Sequence, residues 1–206
     1  MTMMTPTKPT AVFDIGQVLL RWDPVNSFTR LLGDPERARA VMDEIDFHGW
    51  HAHQDAGRLV ADAVADHVSR FPHHGEVISA YYDNWLDSVP GEVPGTRALF
   101  ETLADQGPVF GISNFSREMF DRTVPAYPFL KRFTDLVLSA DVRINKPDPR
   151  IYRILAERNG LTPSSLIFID DNPANVAAAQ AEGWDGIVFT DAPSLSAALR
   201  ARGLEV

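Results

Sequence analysis

The chain has 206 residues, of which 45% are hydrophobic, and 19 basic against 28 acidic side chains give a formal net charge of −9. This length and apolar content suffice for a substantial core, which excludes a disordered or low-complexity chain. The negative charge and the lack of a basic stripe argue against nucleic acid and anionic membranes as partners. The absence of cysteine excludes disulfides, thiolate catalysis and cysteine-bound zinc.

The first ten residues hold one lysine and no apolar stretch of signal-peptide length, and no later apolar run could span a bilayer. We therefore expect a cytoplasmic protein that does not bind membranes. The sequence leaves open whether it is a monomer or a homodimer.

Five short apolar runs predict buried strands, at residues 11–15, 109–113, 136–139, 166–170 and 186–189. Helical patterns lie between the later runs, at 94–106, 149–159 and 173–182, and each begins at a proline and ends before a glycine. This alternation of strands and helices predicts an α/β fold with a parallel sheet covered on both faces.

Residues 23–89 interrupt this alternation. They show four helical patterns, at 24–32, 35–45, 58–71 and 75–89, and no convincing strand. Asp23 and Asp34 precede prolines, as N-cap residues do at the start of a helix. The segment is therefore expected to be an all-helical insertion after the first strand. Residues 21–24 and 90–95 would be its linkers and natural places for a hinge.

Polar side chains follow the predicted strands at the sheet edge where open parallel sheets bind ligands. Each of them alone has an ordinary structural explanation, such as a helix cap or a solvated lysine. Their occurrence at one edge, in chain order, favours a shared site. These residues are Asp14, Ser113, Asn114, Lys146, Asp170, Asp171 and Asn172.

Four segments, FDIGQVL, ISN, NKPDPRIY and FIDDNPANV, follow one another in this order, with the helical block between the first and the second. Together they resemble the haloacid dehalogenase-like (HAD) hydrolase superfamily with its type 1 cap, over nearly the whole chain. The first motif is similar to that of small bacterial sugar-phosphate phosphatases, which also reads Asp-x-Gly. The resemblance implies a Rossmann-like three-layer core at 10–21 and 93–206, with an all-helical cap at 22–92.

The resemblance also implies roles for the polar residues. Asp14 would be the nucleophile that forms an aspartyl-phosphate. Ser113 and the main-chain N–H of Asn114 would hold the phosphoryl oxygens, while Lys146 would neutralise charge. The implied Mg²⁺ ligands are Asp14, the Gly16 carbonyl and Asp171, with Asp170 and Asn175 behind them.

One position departs from the family's phosphatases. They usually place a second aspartate two residues after the nucleophile, where it protonates the leaving alkoxide and then activates water, but this chain has Gly16 there. Losing such an acid costs about 10² to 10⁴ in rate for a poor leaving group. Our candidate substitutes are Asp23, at the start of the insertion, and a histidine of the cap.

Gly16 also keeps a metal-independent 2-haloacid dehalogenase open, because halide departure needs no proton. The adjacent acids Asp170 and Asp171 beside Asp14 favour the phosphatase, since a divalent ion would have to bridge them. A third hypothesis is a catalytically impaired module that binds a phosphorylated ligand. The favoured prediction is a Mg²⁺-dependent phosphomonoester hydrolase acting on a small phosphorylated metabolite such as a sugar phosphate.

All six histidines lie in the insertion. The spacing of His48, His51 and His53 could suit zinc or nickel, but no carboxylate or cysteine accompanies it at matching spacing, which favours surface or substrate-facing roles. Trp50 and His51 are expected to line the roof of the pocket and contact the organic part of the substrate. Packing between cap helices is the alternative for Trp50.

Overall fold

Seven strands form two sheets in the part of the chain that the structure, a computed structural model, describes, residues 9–206. The strands are β1 (Thr10–Phe13), β2 (Leu20–Arg21), β3 (Gly91–Glu92), β4 (Phe110–Ser113), β5 (Asp135–Leu138), β6 (Leu166–Asp170) and β7 (Asp185–Val188). Five of them form a parallel sheet in the order β5-β4-β1-β6-β7. The five predicted strands are confirmed, with ends that differ by at most two residues.

The first strand, β1, lies at the centre of this sheet. Phe13, its last residue, pairs with Gly111 of β4 on one side and Ile169 of β6 on the other. The strand order reverses at β1, and open α/β sheets bind ligands in the crevice at such a switch point. The loops after β1, β4 and β6 therefore meet at one place.

Five helices lie between β2 and β3. They are α1 (Pro24–Leu32), α2 (Pro35–Glu44), α3 (Phe47–Asp55), α4 (Val60–Arg70) and α5 (Gly75–Asp83), with 3₁₀ turns at Pro72–His74 and Trp85–Ser88. Residues 22–92 are called the insertion below. As expected, residues 23–89 contain helices and no strand, although the last predicted helix ends at Asp83 and is followed by a 3₁₀ turn; the strand β3 lies at the end of the insertion.

The third helix of the insertion, α3, was not predicted. Its buried residues Phe47, Trp50, His51 and Gln54 follow the helical spacing i, i+3, i+4 and i+7. Two of these four are polar, so the apolar pattern alone does not reveal the helix. Gly49 further lowers its intrinsic helix propensity.

Six further helices cover the parallel sheet. They are α6 (Thr96–Gln106), α7 (Arg117–Thr123), α8 (Ser139–Val142), α9 (Pro149–Asn159), α10 (Pro173–Ala181) and α11 (Ala192–Ala201), with 3₁₀ turns at Pro128–Arg132 and Pro163–Ser165. Successive residues of β1 point to opposite faces. Phe13 joins the apolar cluster that contains Phe100 and Leu195, and Val12 joins the one that contains Tyr152 and Phe168. The three-layer α/β prediction is therefore confirmed.

The two connections between the sheet and the insertion run side by side. Leu20 pairs with Glu92 and Arg21 with Gly91 in the antiparallel ribbon β2–β3. The main-chain N–H of Asp23 donates to the Ser88 carbonyl at 2.8 Å just beyond the ribbon. The predicted linkers are thus partly strand, and the hinge there stays a prediction. No helix among residues 9–206 has the length and apolar character needed to cross a membrane.

Asp23 is the N-cap of α1, since its Oδ1 accepts a hydrogen bond from the Val25 N–H at 3.0 Å. Replacing a capping Asp by Ala typically costs about 1 kcal/mol. For a chain of this size we expect Asp23→Ala to lower the melting temperature by about 2–4 °C. Thermal denaturation measures this, with Asp43→Ala as control, because Asp43 is exposed and caps nothing. Equal melting temperatures for the two variants would contradict a stabilising cap.

Candidate active site

Asp14 lies immediately after β1, at the switch point of the sheet, and its side chain is almost fully buried. Its Oδ1 accepts hydrogen bonds from the Ser113 hydroxyl and from the Ile15 N–H, both at 2.7 Å. Its Oδ2 lies 2.9 Å from Lys146 Nζ. Because Ser113 ends the neighbouring strand β4, the sheet itself brings hydroxyl and carboxylate together.

Lys146 is buried between two carboxylates. Its Nζ donates to Asp170 Oδ2 at 2.6 Å and to the Ile112 carbonyl at 3.1 Å, and it pairs with Asp14. Burial disfavours the charged ammonium, but the two carboxylates outweigh it and raise the pKa of Lys146 above its usual value. The side chain is therefore a fixed cation with its donors engaged.

The main chain of Lys146 is held by the side chain of Asn114. The Asn114 Oδ1 accepts from the Lys146 N–H at 2.8 Å, and its Nδ2 donates to the Lys146 carbonyl at 3.2 Å. From the sequence, only the main-chain N–H of Asn114 was expected to take part in the site. The structure adds that its side chain fixes the loop that carries the lysine.

Three carboxylates meet at this point: oxygens of Asp14, Asp170 and Asp171 lie within 4.8 Å of one another. Asp170 is fully buried and accepts from the Asn172 N–H at 2.8 Å and the Asn175 amide, whereas Asp171 is exposed. Burial raises the pKa of Asp14 to about 6, against the opposing effect of Lys146. Partial desolvation of the Asp171 carboxyl, and then the charge of Asp170, raise the pKa of Asp171.

This donor set fits a hard divalent cation. All three side chains offer oxygen ligands, which Mg²⁺ prefers. With all three ionised, one lysine leaves an excess of two negative charges, and a divalent ion would neutralise it. The expected ligands Asp14, Gly16 and Asp171 all line the same cavity.

The cavity has a volume of about 410 Å³ and lies between the sheet edge and the insertion. The sheet contributes the polar residues described above, and the insertion contributes mainly rings. The insertion side and the adjoining loops provide Trp22, His51, Asp55, Trp85, Val89 and Phe115. A ligand would therefore have its charged end at the carboxylates and its remaining part against these rings.

Residues 53–189 match the family model of haloacid dehalogenase-like hydrolases. The chain belongs to this family. It is 25% identical to a sesquiterpene phosphatase of Aspergillus oryzae over 198 residues, which cover 96% of this chain and 97% of the relative. It is 33% identical to (S)-2-haloacid dehalogenase 4A of Burkholderia cepacia over 96 residues, covering 46% of this chain and 41% of the relative.

A HAD family enzyme from Bacteroides thetaiotaomicron, solved as a magnesium complex, has a similar fold. It superposes with a TM-score of 0.72 at 20% identity, over 94% of this chain and 98% of the other. This likeness supports the fold of the HAD hydrolase described here.

Of the predicted cap residues, His51 lines the cavity of this HAD hydrolase. Its ring stacks on Trp22 with 5.1 Å between centroids, and its Nδ1 lies 3.0 Å from the Tyr82 hydroxyl. Burial lowers the pKa of His51, although Asp55 opposes the shift. The ring is thus held neutral and immobile in the wall of the cavity.

Two expectations about the insertion are wrong. Trp50 does not line the cavity, because its indole N–H donates to the Ala63 carbonyl at 3.1 Å and its ring stacks on His67 inside the insertion. Asp23 does not line it either, since its carboxylate caps α1. The alternative of packing between helices therefore holds for Trp50.

Sequence reasoning missed Asp55, an acid of the insertion that lines the cavity. It is the last residue of α3, the helix that the apolar pattern did not reveal. An acid followed by a glycine two residues later is a common helix end, so no signal singled it out. Its placement depends on how the insertion docks on the sheet.

Replacing Lys146 by Met keeps a long side chain but leaves two buried carboxylates without their cation. Removing one partner of a buried ion pair costs about 3–5 kcal/mol. Because the folded-state pKa of Asp14 lies above its unfolded value, protonation of Asp14 favours the fold at low pH, and this contribution is lost as pH rises through about 6. We therefore expect Lys146→Met to be destabilised more at pH 8 than at pH 5.

Denaturant unfolding at both pH values, with EDTA present, measures the free energy of unfolding. Lys131→Met is the control, because Lys131 is exposed and its loss should change stability little. A loss for Lys146→Met that is the same at both pH values would contradict the dependence of Asp14 on this lysine.

Proposed function

We propose that this hydrolase is a Mg²⁺-dependent phosphomonoesterase that acts on a small phosphorylated metabolite through an aspartyl-phosphate on Asp14. The observation that carries the proposal is the crowding of Asp14, Asp170 and Asp171 around one lysine. Such a site has an excess of negative charge that a divalent cation would balance. The phosphatase relative, which matches over almost its full length, supports the same activity.

The geometry prepares Asp14 for attack. Hydrogen bonds from Ser113 and Ile15 orient its Oδ1, and Lys146 keeps its carboxylate ionised despite burial. The carboxylate oxygen attacks phosphorus, the bond to the ester oxygen breaks, and the alcohol leaves. Water then cleaves the aspartyl-phosphate and restores Asp14.

The phosphoryl oxygens need positive charge and donors around them. Lys146 would supply charge and the main-chain N–H of Asn114 a donor, and the Ser113 hydroxyl would turn from Asp14 Oδ1 to a phosphoryl oxygen when the ester binds. Mg²⁺ held by Asp14, the Gly16 carbonyl and Asp171, with Asp170 behind them, would add charge stabilisation and offset repulsion between the carboxylates and the phosphate. Without such charge, a protein of net charge −9 would repel its substrate.

We also propose separate roles for two parts of the chain. Residues 10–21 and 93–206 form the catalytic core, and residues 22–92 form a type 1 cap that covers the cavity and sets specificity. A sugar phosphate as substrate, a cytoplasmic location, and a monomeric or homodimeric state stay predictions from the sequence.

A 2-haloacid dehalogenase is the second candidate. Gly16 favours it, since halide departure needs no proton donor, and the haloacid dehalogenase relative shares 33% identity over part of its length. A haloacid carboxylate would, however, enter beside three other carboxylates. Halide release in EDTA, without phosphate release from any ester, would favour this candidate, and phosphate-analogue binding without turnover would favour a binding module.

The first test is phosphate release from p-nitrophenyl phosphate, alkyl phosphates and sugar phosphates, with Mg²⁺ and with EDTA. We expect turnover with Mg²⁺ only, and a loss of at least about 10³-fold in Asp14→Asn, which removes the nucleophile but keeps its volume. An unchanged melting temperature would show that the variant is folded. Full activity in Asp14→Asn would contradict the assignment of the nucleophile.

The second test is metal binding without turnover. Ligand at 100 times its dissociation constant stabilises a fold by about 2.7 kcal/mol, so saturating Mg²⁺ should raise the melting temperature by about 5–10 °C. Asp171→Asn should reduce this shift, because it removes an expected ligand. Asp83→Asn, at an exposed position of the insertion, is the matched control. Equal shifts in wild type and Asp171→Asn would contradict the proposed ligand set.

A further inference from the structure

The proposed phosphatase reaction leaves an alkoxide that needs a proton, and Gly16 has no side chain to supply it. The space beside Gly16 is open, because a Cβ at this position would meet no heavy atom within 4 Å. In phosphoryl transfer the attacking and the leaving oxygen lie roughly in line, on opposite sides of phosphorus. The leaving oxygen therefore points away from Asp14 and toward the insertion, so a donor is to be sought there.

Asp55 is the carboxyl that the insertion contributes to the cavity. The other cavity-lining carboxyls among residues 9–206 are Asp14 and Asp171, which follow β1 and β6. Asp55 therefore reaches the cavity from the insertion, whereas Asp14 lies at the sheet edge. No other side chain of the insertion offers a carboxyl there in the described chain.

The main chain of Asp55, at the end of α3, is anchored to the segments that follow the sheet strands. The Ser139 hydroxyl donates to the Asp55 carbonyl at 2.6 Å and accepts from the Phe115 N–H at 3.0 Å. The Ser116 main-chain N–H opposes the rise in the pKa of the Asp55 carboxyl, so it acts on that group from the loop after β4. These contacts come from the loops after β4 and β5, so Asp55 keeps a fixed place relative to the reacting groups while belonging to the insertion.

The surroundings of Asp55 favour its protonated form. Burial raises the pKa of Asp55, while His51, the Ser116 N–H and the charge of Lys146 oppose the shift. The His51 Nε2 lies 3.9 Å from Asp55 Oδ1, and burial lowers the pKa of this ring, so it is neutral. A carboxyl group whose pKa is raised beside a substrate cavity is better suited to act as a general acid than an ordinary surface carboxyl.

His51, the other titratable cap residue in the cavity, is poorly placed for this role. Its Nδ1 contacts the Tyr82 hydroxyl, and its ring is stacked between Trp22 and Trp85 at centroid distances of 5.1 and 5.9 Å. The His51 ring therefore forms part of the cavity wall and packs beside the Asp55 carboxyl.

We infer that Asp55 replaces the acid that Gly16 lacks and protonates the leaving oxygen of the ester; this inference rests on the proposed phosphatase function. In the first step the P–O bond to the leaving group breaks, its electron pair stays on oxygen, and that oxygen takes the proton from Asp55. In the second step the Asp55 carboxylate takes a proton from the attacking water. Phosphate leaves, Asp14 is restored, and Asp55 is protonated again.

The test compares leaving groups. An alkyl phosphate needs the proton, whereas p-nitrophenolate leaves without one. Asp55→Asn should therefore lower kcat/KM for an alkyl phosphate at least about 10²-fold and leave kcat/KM for p-nitrophenyl phosphate within about threefold. The ratio kcat/KM isolates the first chemical step, so slower water activation in the variant does not enter the comparison.

Asp62→Asn is the matched control, since Asp62 is an exposed acid of the same insertion and lies outside the cavity. Asp62→Asn should leave kcat/KM unchanged for both the alkyl phosphate and p-nitrophenyl phosphate. An equal loss for both esters in Asp55→Asn would show a structural role and overturn the inference, and so would full activity on the alkyl phosphate. A wild-type protein that releases phosphate from neither ester would instead refute the phosphatase function itself.

A second measurement needs no variant. Across a series of aryl and alkyl phosphates, kcat/KM of the wild-type protein should depend only weakly on the pKa of the leaving group, because proton donation offsets the developing charge. A steep decline with rising leaving-group pKa would mean that no donor acts, and would overturn the inference.

Discussion

The ion pairs of Lys146 with Asp14 and Asp170 are the constraint on which the site depends. Two buried carboxylates cannot remain ionised side by side without a cation, and a buried ammonium needs them equally. The lysine comes from the loop after α8, whereas Asp14 follows β1 and Asp170 ends β6. One set of contacts therefore joins three separate parts of the sheet edge and stabilises the ionised form of Asp14, the proposed nucleophile.

The insertion adds a second layer to this arrangement. It does not simply cover the cavity, since α3 contacts the loops of the sheet through the Ser139 hydroxyl and through Asn145, whose amide donates to the Ala52 carbonyl at 3.1 Å. These contacts place the end of α3 beside the ammonium and the carboxylates. The sheet edge and the insertion therefore hold fixed positions on the two sides of the cavity.

The parallel topology explains why much of the site was predictable from the sequence. Apolar runs that end in Asp14, Ser113 and Asp170 identify strand ends, and parallel strands bring such ends to one edge. The cavity-lining residues of the insertion were harder to predict, because adjacent residues of one helix face different surroundings. Trp50 packs inside the insertion and His51 faces the cavity, and only the docking of α3, whose buried face is half polar, decides between them.

The β2–β3 ribbon has a consequence for how proteins of this kind diversify. The chain enters the helical segment after Arg21 and returns at Gly91, which pairs with Arg21. The β2–β3 ribbon therefore carries both covalent connections to this segment. A segment of different length or shape could be joined to the same ribbon without changing the strand order or the charged residues at the sheet edge. The sheet-edge residues Asp14, Lys146 and Asp170 could thus be kept over evolutionary time while the helical segment changes.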